Sequence, residues 1–102
     1  MHLVQILLPL YDNAGNRFPG DEFRTLWDEL TEAFGGVTVY SRAPAHGLWK
    51  EDASSVQHDD VILFEVMVTQ LDRDWWTAYR RGLEQRFRQE VIVIRAQDMT
   101  ML

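Results

Sequence analysis

The sequence predicts an α+β domain: a four-stranded antiparallel sheet with two amphipathic helices on one face. Two stretches, Phe23 to Phe34 and Trp76 to Phe87, place apolar residues at helical spacing. Four short runs rich in Val, Ile and Leu lie around them, in the order strand, helix, strand, strand, helix, strand. The chain has 102 residues, 46% of them apolar and 25% charged, which suits one core and a single domain over 1–102.

The first strand is Leu3 to Leu8, apolar on both faces apart from Gln5, and Pro9 stops it. Turn formers fill 12–16, and Asp21 or Gly20 is placed to cap the first helix. Phe23, Leu26, Trp27, Leu30 and Phe34 form its apolar stripe, and Gly35-Gly36 ends it. Val37 to Arg42 alternates as a strand, with Val37, Val39 and Ser41 on one face and Thr38, Tyr40 and Arg42 on the other.

A long connection over 43–58 contains Pro44, Gly47, His46, Trp49 and His58. Val61 to Val68 follows as the most apolar strand, central and buried on both faces, with Glu65 its one charge. Asp72 caps the second helix, whose stripe is Trp76, Tyr79, Leu83 and Phe87. Of Trp75 and Trp76, one joins this stripe and the other covers a sheet edge. Arg80–Glu84 and Glu84–Arg88 are spaced for pairing on its exposed side, and its arginines make a solvated basic face. Val91 to Arg95 is the last strand, and 96–102 shows no pattern.

This order is the split βαβ of ferredoxin-like domains. Strand parity then raises a problem. If Val4, Ile6, Leu8, Ile62, Phe64, Val66 and Val68 face the helices, Leu3, Leu7, Val61, Leu63 and Met67 are left on the open side. At roughly 25 cal/mol per Å² of apolar surface, wetting that side forfeits several kcal/mol. A second copy packed sheet to sheet is the simplest cover, so a homodimer is expected.

Composition narrows the function classes. A formal charge of −6 disfavours general nucleic-acid binding. No apolar run approaches the roughly 18 residues of a membrane span. The start lacks a basic n-region and reads as a strand rather than a signal segment. With no cysteine, thiol chemistry and disulfides are excluded, and a cytoplasmic setting is compatible. No glycine-rich phosphate loop, Ser-His-Asp pattern or nucleophile elbow occurs, and no cofactor is implied.

The same parity gathers Gln5, Tyr40, Arg42 and Glu65 on the open face, few polar groups over an apolar floor, as small-molecule pockets are built. One account is structural, a Glu65–Arg42 ion pair at a dimer seam. The other is chemical. A desolvated Glu65 works as general base or acid, and Tyr40 and His46 orient a small organic substrate or pass a proton. Trp49 is a lid over this face or a plug at the seam, so the ligand-binding candidates are Gln5, Tyr40, Arg42 and Trp49. His46 and His58 with Glu51, Asp52, Asp59 or Asp60 match no metal-ligand spacing, and no metal is expected. Two functions therefore stand side by side: a homodimeric binding or interaction module, and a small cofactor-independent enzyme of monooxygenase or isomerase type.

The runs Phe34-Gly35-Gly36-Val37-Thr38-Val39-Tyr40, Arg42-Ala43-Pro44-Ala45-His46-Gly47-Leu48-Trp49 and Asp60-Val61-Ile62-Leu63-Phe64-Glu65-Val66-Met67 resemble a group of uncharacterised bacterial proteins of about this length. That group is similar to the wider set of ferredoxin-like α+β barrel and plait proteins. The set includes small dimeric stress-response proteins and cofactor-independent monooxygenases, with ligands between helices and sheet or inside the barrel. The resemblance implies the fold and a dimer. It implies no particular reaction, since fold does not fix function. The His-Asn-Trp arrangement that some of those monooxygenases use does not occur here.

Overall fold

The computed structural model describes residues 1–42 and 61–102, with the Arg42 side chain also outside the description. The elements run β1 (His2–Pro9), α1 (Gly20–Phe34), β2 (Thr38–Arg42), β3 (Val61–Val68), α2 (Arg73–Arg86) and β4 (Val93–Asp98). All strand pairs are antiparallel and the order is β2-β3-β1-β4, so the long strands are central and the short ones are edges. Architecture and strand order fit a ferredoxin-like arrangement.

The core lies between sheet and helices. Val4, Ile6 and Leu8 of β1 and Phe64 and Val66 of β3 are buried against Leu26, Leu30, Leu83 and Phe87. The strand period of two sets this pattern, burying alternate residues of β1 and β3 and leaving the others partly wet. β3 is therefore central but not buried on both faces; Met67 is 52% exposed. Phe18, from the β1–α1 connection, packs edge-on against Phe87 at 5.0 Å between ring centroids. The Asp12 carboxylate shapes that connection by accepting the amides of Ala14 and Asn16.

Helix ends differ in part from expectation. Pro19 stands at the N-cap of α1 and no side chain caps it, while Asp21 and Glu22 occupy the first turn, where the helix dipole favours them. Of Gly35 and Gly36, Gly35 takes the left-handed conformation, at φ 82°, and its amide donates to the Thr31 carbonyl at 2.7 Å. Asp72 caps α2 as its type suggests, accepting the Trp75 amide at 3.1 Å.

Helix α2 ends at Arg86, and Arg88 has φ 52°, so the Glu84–Arg88 spacing is broken and that pair does not form. Glu84 instead accepts Arg80 at 2.9 Å and the Ile92 amide at 3.0 Å. That amide bond, ahead of Arg80, holds the Glu84 carboxyl below its ordinary range although desolvation opposes it. The same bond fixes buried Ile92 outside the ladder, and β4 starts at Val93, later than the apolar run suggests.

Between the helices, Trp75 stacks on Tyr79 and meets Phe34 and Trp76 edge-on, so it belongs to an interhelical aromatic cluster rather than a sheet edge. The Tyr79 hydroxyl donates to Glu29 at 2.8 Å, and Arg86 donates to the same carboxylate oxygen at 2.9 Å. Burial, reinforced by Glu29, pushes the Tyr79 phenol well above its ordinary range.

Candidate functional site

The sheet face turned away from the helices holds three rows of side chains running across the strands. In the middle row Gln5 stands opposite Glu65 on one side and Arg95 on the other, and Thr38 lies beyond Glu65. The next row is Tyr40, Leu63, Leu7 and Val93, and on the other side are Met67, Leu3 and Gln97. A polar row is thus bordered by mostly apolar neighbours. Tyr40 and Val93 are 49% and 46% exposed.

The middle row is a continuous hydrogen-bonded chain. Arg95 Nε donates to Gln5 Oε1 at 2.8 Å, and Gln5 Nε2 donates to Glu65 Oε2 at 2.6 Å. Strands lie about 4.8 Å apart, so Glu65 and Arg95 sit two strand spacings from one another. The amide bridges them with its dipole aligned, oxygen toward the cation and N–H toward the carboxylate. Both bonds are charge-assisted, and each polarises the other.

Gln5, Tyr40 and Glu65 therefore share one face, as their strand parity suggests. Register sets the backbone positions of Glu65 and Arg42 apart. Thr38 lies opposite Glu65, whereas Arg42 lies opposite Val61, four residues away and about 13 Å along the strand. Gln5 is the hydrogen-bond partner of Glu65. Arg95 is the residue that sequence reasoning missed. Its signal was its parity with Val91 and Val93, but only the β1–β4 register brings it beside Gln5.

His46, Trp49 and the rest of the 43–58 connection lie outside the described residues, as does the Arg42 side chain. His58, Glu51, Asp52, Asp59 and Asp60 lie outside them too. Among the described residues no three His, Asp or Glu side chains converge as metal ligands. No described helix is long and apolar enough to cross a membrane.

A concavity lies on the other side of the sheet, where α1 passes over β2. It is an open groove of about 590 Å³ floored by Val39 and Phe64 and walled by Phe23 and Trp27. Trp27 was expected within the core stripe; it is 44% exposed because Leu26 and Leu30 take the buried positions. None of Gln5, Tyr40 and Glu65 lines this groove. Comparison with protein-family models, with curated proteins and with solved structures returns no match, so the geometry alone supports the functional reading.

Proposed function

We propose that this chain is a cytoplasmic binding and interaction module that works as a homodimer, a second copy covering the open sheet face. The observation that supports it is the self-complementary middle row. A two-fold axis along β1 through Gln5 lays β3 of one copy over β4 of the other. Arg95 then stands over Glu65 twice, Leu63 stands over Val93, and Leu7 meets itself, as an isologous interface requires. Stacked sheets are about 10 Å apart, a gap that an arginine and a glutamate span together.

The footprint sets the expected strength. At about 4.8 by 3.3 Å per residue the three overlapped strands, β3, β1 and β4, cover roughly 350 Å² in plan. Two such faces come to about 700 Å², below the ~1,000 Å² of a specific interface before side-chain relief is added. Weak association, at micromolar concentration or above, is expected. Tyr40 and Thr38, on the outer β2 strand, fall beyond the overlapped β4 edge and border the seam, where a small organic ligand is best placed.

Sedimentation equilibrium across micromolar to submillimolar concentration tests the reading. A mass rising from 12.0 kDa toward twice that value is expected. Val93→Lys, a change at an exposed edge-strand position, should hold the monomer mass without unfolding. A constant monomer mass for the unaltered chain removes the proposal. The enzyme reading on Glu65, Tyr40 and His46 has less support, because the Glu65 carboxylate is already engaged by the Gln5 amide.

A further inference from the structure

The α1–β2 groove sits on the helix side of the sheet, so its use does not depend on what covers the open face. Its floor and most of its wall are apolar, and it is a wide, open groove of about 590 Å³ rather than an enclosed cavity. Arg24 and Asp28 stand on its rim, one helical turn apart on α1. Among the described residues neither has an ion pair or a side-chain hydrogen bond.

Helix electrostatics do not account for this pair. Arginine preceding an acid by four residues is the weaker orientation for mutual pairing, since both charges then oppose the helix dipole. Core packing does not require Trp27 either, because Leu26 and Leu30 already close the α1 side of the core.

We infer that this groove binds a small apolar zwitterion, an aromatic α-amino acid by chemical class, with its ring against Phe23 and Trp27, its carboxylate on Arg24 and its ammonium group on Asp28. Charge selects this class. A simple anion meets Asp28 and a protein of net charge −6, while a simple cation meets Arg24. A zwitterion satisfies both rim groups and is neutral toward the whole. In an open groove a ligand of about a dozen non-hydrogen atoms reaches roughly millimolar affinity.

Gly20 at the mouth supplies the control. Gly20 is one of the lining residues, and a Cβ there meets nothing within 4 Å, so a larger side chain is added at the groove without displacing the fold. The test titrates L-phenylalanine, 3-phenylpropionate and phenethylamine into ¹⁵N-labelled protein, following the Trp27 indole N–H and the α1 amides. Phenylalanine should saturate these shifts in the millimolar range, with both singly charged analogues at least several-fold weaker. Gly20→Leu should abolish binding with an unchanged circular dichroism spectrum, and Arg24→Gln should remove the preference for phenylalanine over phenethylamine. Absence of saturable binding, equal binding of the three probes, or binding that survives Gly20→Leu overturns the inference. Repeating the titration on the Arg95→Glu chain separates it from dimerisation, since Arg95 lies on the opposite face.

Discussion

Reversing the charge of Arg95 tests the open-face interface most directly. The side chain is on an edge strand and exposed, and among the described residues its hydrogen-bond partner is the Gln5 amide. In the monomer Arg95→Glu therefore removes a surface contact worth about 1 kcal/mol or less. In the proposed dimer the same change acts twice, because the two-fold axis sets each Arg95 over a Glu65. Truncating one partner of a partly dry interfacial charge pair costs about 2 kcal/mol at the low end. Two such losses come to about 4 kcal/mol, a roughly 1,000-fold weaker dissociation constant. A micromolar dimer becomes millimolar, and sedimentation equilibrium should then report only monomer.

Glu65→Arg alone should do the same. Combining it with Arg95→Glu should restore association, since the swapped row keeps its complementarity and the Gln5 amide turns over to serve it. If the double variant stays as weak as either single one, or if Arg95→Glu leaves the mass unchanged, the row does not face itself and the reasoning fails.

Phe87→Ala should cost about 3–5 kcal/mol, because the ring is fully buried and meets both Phe18 and Phe23; urea unfolding followed by tryptophan fluorescence reads the loss. Gly35→Ala should destabilise by about 1–2 kcal/mol, since φ 82° strains any side chain, while Gly36→Ala, at an ordinary φ with open space around it, should fall within about 0.5 kcal/mol of the unaltered chain in the same assay. The fold holds the Tyr79 phenol above its unfolded value of about 10. Its contribution is therefore fully present below that pH and is lost as pH rises from there toward the folded value. The urea midpoint should fall from pH 9 to 11, and Tyr79→Phe should flatten that fall.

Local periodicity made much of this fold readable. The alternation in β1 and β3 is a property of extended backbone, so placing Leu3, Gln5, Leu63 and Glu65 on one face needed no knowledge of their neighbours. Asp72 was readable for a similar reason, because its cap bond spans three residues. What escaped was set by contacts between distant segments. The start of β4 is fixed by Glu84, which takes the Ile92 amide and withdraws it from the ladder. The exposure of Trp27 depends on what lies beside α1 rather than on its position in the stripe. A Glu65–Arg42 pair was one of two open accounts because β2 neighbours β3, and the register that puts Thr38 across from Glu65 was not legible from the strands alone.

In the proposed dimer, register also explains why a largely apolar face keeps the Gln5, Glu65 and Arg95 side chains. Apolar rows alone would let one sheet slide over another, since a shift of one strand or two residues changes their overlap little at about 25 cal/mol per Å². The polar row removes that freedom. Sliding by one strand takes each Glu65 and Arg95 off its opposite charge and onto the Gln5 amide or past the edge, and sliding by two residues sets Glu65 and Arg95 over the Leu63–Leu7–Val93 row. Either leaves charges unmatched in a partly dry seam, at a cost of several kcal/mol. In the free chain the Gln5 amide satisfies both charges at once. One bridging glutamine therefore keeps both charges hydrogen-bonded in the free chain and, in the proposed dimer, holds Glu65 and Arg95 in the positions where the second copy meets them.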